Sequence, residues 1–238
     1  MIIDFHCHYG KDVDGESSTL NEIISQIKKN DIDKIALFPF NSENLLEESE
    51  NILSLSKKHK YIIPFLRFDP KSVGKKDLRN ALENRYKGIK LHPTSQKFYP
   101  DDDRYQWIYD EIAKYKLPIL FHSSASFDEP MSNFANILNL AKRYPKQIFV
   151  LGHSAGGHPA FFDEITRYEN VYVETSVDSY PILYEKVYNK HKFDRFVYGS
   201  DFPYSFPHIE LEKIRCAKIP DSVKEKILYK NAVEILNV

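Results

Sequence analysis

The feature that most constrains this chain is a regular alternation of short strand-like runs and helical segments. Eight runs rich in β-branched and aromatic residues recur at intervals of about 24 to 32 residues. They are IIDFHCH from 2, KIALFPF from 34, YIIPFLRF from 61, GIKLH from 88, LPILFHS from 117, QIFVLGH from 147, NVYVETS from 170 and RFVYGSD from 195. The segments between them place apolar residues at helical spacing, as at Leu20, Ile23 and Ile27.

This alternation predicts an α/β fold in which each strand is followed by a helix. Eight such units in a chain of 238 residues match the count of a (β/α)8 TIM barrel. A chain of this length can bury one large core, so we expect a single domain over residues 1–238. A doubly wound open sheet is the alternative, but it would need fewer strands and longer insertions.

Composition limits the classes of partner. The 33 Lys and Arg residues nearly balance the 34 Asp and Glu residues, so no net field favours nucleic acid or an anionic membrane. No apolar run approaches the roughly 20 residues that cross a bilayer, and MIIDFHCHYG has neither a basic start nor an apolar signal region. Two cysteines are too few for a disulfide framework. We therefore expect a cytoplasmic protein that binds a small molecule, with homo-oligomerisation left open.

The first predicted strand carries an H-x-H pattern. Strand side chains alternate between faces, so its polar residues are predicted to face the barrel interior together: Asp4, His6 and His8. Its apolar residues would pack beneath the helices: Ile3, Phe5 and Cys7. Burying two imidazoles without partners would be costly, which points to a role for them.

Further polar residues stand where other predicted strands end. His122 ends the fifth strand, His153 ends the sixth and Asp201 follows the eighth. In a TIM barrel these ends meet at one rim, where active sites lie. Four imidazoles and one carboxylate would converge there. Such a set, with an open position, suits a catalytic Zn²⁺, or alternatively Mn²⁺, Fe²⁺ or Ni²⁺.

Three more residues are candidate substrate ligands. Lys90 and His92 share a face of the fourth predicted strand, and Arg67 lies near the end of the third. A buried cation there can bind a substrate carboxylate. A Lys90 carbamate bridging two metal ions is the alternative. We favour one ion, with Lys90 deeper in the barrel and paired with Asp4 or a substrate carboxylate.

Taken in order, these motifs resemble the amidohydrolase superfamily, and within it the amidohydrolase 2 group of metal-dependent hydrolases and decarboxylases. The resemblance runs from the first strand to the last helix and is carried by DFHCH, GIKLHP, LFHSS, LGHSAGG, YVETS, YGSDFP and NAVEIL. It implies that the metal ligands are His6, His8, His122 and Asp201. It also implies that His153 contacts the metal-bound water or the substrate.

The function expected first is metal-dependent hydrolysis of an amide, lactone or ester of a small molecule. A divalent metal lowers the pKa of a bound water toward about 7, Asp201 accepts its proton, and His153 stabilises the oxyanion or assists proton transfer. The alternative is a metal-dependent decarboxylase. In that case Arg67 or Lys90 would bind a substrate carboxylate, while His153 and Asp201 would protonate the carbon that loses CO₂.

Two remoter alternatives come from different classes of protein. Residues 152–156 fit G-x-S-x-G, which would make Ser154 the nucleophile of a serine esterase. The required acid and histidine, Asp201 and His208, follow in order but are only seven residues apart, and no HGGG segment precedes them. A non-enzymatic binding protein is the other alternative, and it predicts no bound metal.

Overall fold

A computed structural model describes residues 1–177 and 182–238 of the chain. Within these ranges nine strands form one sheet, in the order β2-β1-β3-β4-β5-β6-β7-β8-β9. The strands are β1 (Ile3–Lys11), β2 (Ser17–Ser18), β3 (Lys34–Pro39), β4 (Ile62–Arg67), β5 (Gly88–Leu91), β6 (Ile119–Phe121), β7 (Phe149–Leu151), β8 (Val171–Glu174) and β9 (Phe196–Val197). All neighbours pair in parallel except β1 and β2, which form a hairpin.

Helices follow the strands along the chain. They are α1 (Leu20–Lys29), α2 (Leu45–Lys58), α3 (Lys75–Leu82), α4 (Pro93–Gln96), α5 (Gln106–Ile112), α6 (Phe134–Arg143), α7 (Phe162–Ile165), α8 (Leu183–His191), α9 (Pro207–Cys216), α10 (Asp221–Glu225) and α11 (Asn231–Leu236). A π-helical turn, Lys226–Lys230, joins α10 to α11. None of the helices in the described ranges has the length and apolar character to cross a membrane.

The sheet closes on itself where β1 meets the chain beyond β9. Phe5 N donates to Tyr198 O at 2.8 Å, and His8 N donates to Phe202 O at 3.0 Å. Closure removes the free sheet edges that an open doubly wound fold would keep. The predicted (β/α)8 barrel in a single domain is therefore confirmed. Its extent over residues 1–238 stays a prediction.

Apolar side chains fill the barrel interior near the amino ends of the strands. We call this cluster the lower layer: Ile3, Phe5, Ala36, Phe38, Ile63, Phe65, Leu120, Val150, Tyr172 and Val197. The last helix, α11, adds Ala232 and Leu236 to it. A Cβ on Gly88 would overlap the ring of Phe65, so the missing side chain there makes room for that ring. A second apolar cluster packs the outer face of the sheet against the helices.

The predicted alternation of β1 is wrong in part. The register of β1 against β3 shifts between Asp4 and Cys7, as a β-bulge does. Ile3 and Phe5, predicted to pack beneath the helices, therefore belong to the lower layer, and the neighbouring His6 also faces the interior. Cys7 packs on the helix side as predicted. Asp4 instead lines a small cavity with Cys7 and Ile23 on the helix side of the sheet. There its Oδ1 accepts hydrogen bonds from the backbone N–H groups of His6 and Ser200.

Candidate active site

A cavity of about 520 Å³ opens at the carboxyl ends of the strands, above the lower layer. All eight residues that the sequence nominated line it: His6, His8, Arg67, Lys90, His92, His122, His153 and Asp201. They come from β1, from the ends of β4 and β5, and from the segments that follow β6, β7 and β9. The rim position expected for a TIM-barrel site is thus the position observed.

The tightest group of potential metal ligands in this cavity surrounds Asp201. Its Oδ1 lies 3.0 Å from His6 Nε2 and 3.0 Å from His8 Nε2. Among the described residues, ligand atoms of His6, His153 and Asp201 all lie within 4.8 Å of one another. The tight group thus contains His153, which the family resemblance places beside the metal-bound water or substrate. His8 and His122, which it makes ligands, are not members of this group of three, although His8 Nε2 contacts Asp201.

His122 forms the outer side of the cluster. Its ring stacks on that of His92, with centroids 3.8 Å apart, and lies 4.6 Å from the ring of His153. His122 Nε2 is 3.3 Å from a carboxylate oxygen of Glu129. His92 Nδ1 accepts the backbone N–H of Ser95 at the start of α4. The Nε2 of a neutral His92 therefore carries the proton and can act as a hydrogen-bond donor.

Three imidazoles of the cluster, those of His6, His8 and His153, are held in the neutral form. Burial is the main cause that lowers the pKa of His6, His8 and His153 well below the usual value, and nearby positive groups lower it further. His8 Nδ1 is buried and has no hydrogen-bond partner among the described residues. Neutral imidazoles next to a carboxylate are the donor set that divalent transition metals prefer. These residues therefore fit a metal ion.

The structure adds Glu174, at the end of β8, to the candidate site residues; it was not identified from the sequence. Its carboxylate is fully buried behind the cavity, with Oε2 2.9 Å from His6 Nδ1 and 2.9 Å from Ser176 Oγ. Burial, and next the charge of Asp201, raise the pKa of Glu174 to about 8. The available sequence signal was a polar residue at the end of an apolar strand, in VYVETS.

Lys90 reaches the cluster itself. Its Nζ lies 2.9 Å from His6 Nε2 and 5.1 Å from the ring centroid of Phe38, and burial lowers its pKa to about 7. The pairing with Asp4 expected from strand alternation is not observed. The bulge in β1 turns the Asp4 carboxylate to the other side of the sheet.

Arg67 presents a buried guanidinium to the cavity. Its side chain is 1% exposed, and Nη1 donates to Pro39 O at 2.9 Å. Its Nε has no hydrogen-bond partner among the residues described. Ser49 of α2 fixes the backbone of Arg67, since its hydroxyl bonds to both Arg67 N and Arg67 O. Burial lowers the pKa of Arg67 only to about 10, so the group stays cationic at neutral pH.

Comparison with known proteins gives the family. The amidohydrolase family model, Amidohydro_2, matches residues 57–238. This chain belongs to the amidohydrolase family. The matched range begins after β1, so it does not include His6 and His8. No curated protein matches this sequence.

Its fold is similar to those of several solved decarboxylases. With 5-carboxyvanillate decarboxylase from Sphingomonas paucimobilis it shares 14% identity over 100% of this chain and 99% of that one, with a TM-score of 0.83. With 2,6-dihydroxybenzoate decarboxylase from Rhizobium it shares 14% identity over 99% of this chain and 98% of that one, with a TM-score of 0.79. With a dihydroxybenzoic acid decarboxylase from Polaromonas, which has bound manganese and 2-nitroresorcinol, it shares 14% identity over 99% of this chain and 96% of that one, with a TM-score of 0.78. At these identities the similarity establishes the fold.

The G-x-S-x-G segment, residues 152–156, forms a left-handed turn. His153, Ser154 and Ala155 have φ values of 54°, 51° and 55°, and Gly156 and Gly157 continue the turn. Each such non-glycine residue costs about 1–2 kcal/mol. The turn presents His153 to the cavity, whereas Ser154 is fully buried and its Oγ has no partner among the described residues. This geometry does not support Ser154 as a nucleophile.

Proposed function

We propose that this member of the amidohydrolase family is a metal-dependent decarboxylase of a small carboxylic acid. The observation that carries the proposal is the presence of two buried basic side chains, Lys90 and the cationic Arg67, in the same cavity as the His and Asp cluster. A site for a neutral amide or ester has no need to bury a guanidinium with an unpaired N–H. The decarboxylases of similar fold support the same reaction class.

We propose that His6, His8, His122 and Asp201 hold one divalent metal ion and that His153 lies beside it. When bound, the ion would supply a positive charge that polarises a substrate oxygen and stabilises the negative charge left on the substrate as CO₂ departs. The preponderance of imidazole donors favours Zn²⁺, with Fe²⁺ or Ni²⁺ as alternatives. Mn²⁺ is also supported, because two decarboxylases of similar fold contain manganese.

The residues of the chain have separate parts in this reaction. Arg67 binds the substrate carboxylate through its unpaired Nε–H and orients the bond that breaks. His92 donates its Nε2–H to a second substrate oxygen. As the C–C bond breaks, its electron pair stays on the substrate carbon, which must take up a proton. Asp201, or His153 after its Nε2 has taken up a proton from solvent, delivers that proton from within the cluster.

The test is metal analysis followed by product analysis. We expect the purified protein to contain about one divalent metal ion per chain and to lose activity when a chelator removes it. A screen of small aromatic acids, amides and lactones in H₂¹⁸O should then detect CO₂ release without incorporation of ¹⁸O into the organic product. Full turnover by metal-free protein would refute the metal-dependent mechanism, and it would leave the non-enzymatic alternative refuted as well.

Hydrolysis of an amide, lactone or ester is the second candidate function. The observation that favours it is the position of Asp201, whose Oδ1 lies 3.0 Å from the Nε2 atoms of both His6 and His8. A carboxylate in that place can take a proton from an attacking water. Incorporation of ¹⁸O from labelled water into the product, without CO₂ release, would select this candidate.

A further inference from the structure

We propose that Glu174 is a positioning residue that sets the tautomers of two imidazoles in the site, that of His6 directly and that of His153 through Ser176. The proposal deepens the proposed function, because a metal site needs imidazoles whose unprotonated nitrogens point at the same place. His6 and His153 line the cavity, whereas Glu174 and Ser176 do not.

Both oxygens of Glu174 accept backbone N–H groups, which can only donate. Oε1 accepts from Ser176 N at 2.5 Å, and Oε2 accepts from His153 N at 3.2 Å. Oε2 also lies 2.9 Å from His6 Nδ1. Together with the hydroxyl of Ser176, these N–H groups favour the ionised form of Glu174. Ionised Glu174 offers acceptors alone, so His6 Nδ1 carries the proton. The Nε2 atom of His6, which faces Asp201 and Lys90, is then unprotonated.

The tautomer of His153 follows from the single proton of a hydroxyl group. Ser176 Oγ donates its proton to Glu174 Oε2 at 2.9 Å. The same Oγ lies 3.0 Å from His153 Nδ1, and towards that atom it has only lone pairs to offer. His153 Nδ1 is therefore protonated, and its Nε2 is left unprotonated. One carboxylate thus sets two imidazoles in the same sense.

The surroundings of Glu174 are shaped to hold this carboxylate. A Cβ on Gly199 would overlap Glu174 Oε1, and a Cβ on Gly152 would lie 3.6 Å from Oε2 and 2.8 Å from the carbonyl oxygen of Phe121. The absence of a side chain at Gly199 therefore makes room for the carboxylate, whereas that at Gly152 makes room for the carbonyl group of Phe121. Its bond to His153 N also holds the first residue of the left-handed turn, where the backbone is strained.

A merely structural role for Glu174 makes a different prediction. A tether between three strands would affect stability but would leave the imidazole tautomers free to vary. A protonated Glu174 that donates to His6 Nδ1 would reverse the tautomer of His6. The position of each imidazole proton therefore separates these roles from the proposal.

The experiment is ¹⁵N NMR of metal-free protein labelled with ¹⁵N-histidine, at neutral pH. We expect His6 and His153 both to show a protonated Nδ1 and an unprotonated Nε2. In Ser176→Ala, His153 loses its acceptor, so its spectrum should shift toward the Nε2–H tautomer while that of His6 stays unchanged. In Glu174→Gln the spectra of His6 and His153 should both change. Glu174 accepts four donors, which are Ser176 N, His153 N, Ser176 Oγ and His6 Nδ1, and an amide cannot accept all of them. An unprotonated Nδ1 on either residue in the wild type would overturn the proposal, as would a Ser176→Ala variant without effect on His153.

Metal affinity, measured by competitive titration of metal-free protein with Zn²⁺, is the second readout. Glu174→Gln should weaken it by about 10- to 100-fold, and Ser176→Ala by less. The matched controls are Glu210→Gln and Ser132→Ala, which alter a buried carboxylate and a buried hydroxyl outside the cavity and should leave the affinity within about twofold. If the wild type binds no metal, the proposed function fails while the tautomer result stands. If Glu174→Gln does not fold, Ser176→Ala decides the matter through the NMR readout.

Discussion

The interior of the barrel has two regions that lie on the same strands but are built for different purposes. Near the amino ends the strands contribute the apolar lower layer. Two residues further along the same faces, polar groups line or back the cavity, and we call them the upper layer. Leu120 is followed by His122, Phe65 by Arg67 and Tyr172 by Glu174. A step of two residues keeps the side of the sheet and changes only the height in the barrel.

The lower layer stabilises the fold, and the upper layer supplies the groups for the proposed chemistry. The lower layer packs apolar surface and aromatic pairs, such as Phe5 against Phe65 with centroids 5.4 Å apart in an edge-to-face arrangement. The upper layer buries ionisable groups, and burial shifts the pKa values of Lys90 to about 7 and of Arg67 to about 10. Such burial opposes folding, so the lower layer must offset it.

The largest expected effect is that of Asp201→Asn in the upper layer. We expect kcat to fall by about 10²–10⁴-fold, because this side chain serves the proposed reaction as a metal ligand and a proton donor. The free energy of unfolding of the metal-free protein should be unchanged or higher, since a buried carboxylate is removed. Steady-state kinetics and urea unfolding measure the two quantities. A large loss of stability with little loss of activity would break the comparison.

Leu120→Ala in the lower layer should have the opposite profile. The cavity that it creates should lower the free energy of unfolding by about 2–5 kcal/mol. Turnover per folded molecule should stay within about twofold, because Leu120 lies below the cavity and does not line it. Urea unfolding gives the first number, and kcat corrected for the folded fraction gives the second. A drop in kcat that exceeds the loss of folded protein would show that the layers are coupled.

Lys90→Met tests whether the upper-layer cation serves the substrate or the metal. We expect KM to rise about tenfold, the effect of losing roughly 1.4 kcal/mol of binding. The metal content should stay near one ion per chain. Kinetics together with elemental analysis check both results. Two equivalents of metal in the wild type, with Lys90→Ala removing one and added short carboxylic acids restoring it, would show instead that Lys90 is a carboxylated bridge.

The smallest effect is expected from Ser154→Ala, beside the upper layer but outside the cavity. Its hydroxyl is buried without a partner among the described residues, so removing it should change kcat by less than about twofold. His153→Ala is the matched variant in the same turn and should lower kcat by roughly 10²-fold or more. Labelling of Ser154 by a serine-directed phosphonate, with loss of turnover, would restore the esterase alternative.

Most of the fold, and the gathering of the candidate site residues in one cavity, could be predicted from the sequence. The spacing of eight apolar runs determines the barrel, because βα units of this length pack in few ways. The polar residues at strand ends follow from the same pattern, since parallel strands bring those ends to one rim. His122, His153 and Asp201 were found in this way, and the cavity contains all of them.

Only the tertiary structure decided how these residues are arranged. The bulge that turns Asp4 outward depends on the register of β1 against β3, and it is this bulge that leaves Lys90 beside His6. The contact of Glu174 with His6 joins residues 168 positions apart, and it exists because β1 closes the barrel against the chain after β9. Local patterns report periodicity within a strand. Register and closure are set by long-range pairing, so they become visible only when the whole barrel is assembled.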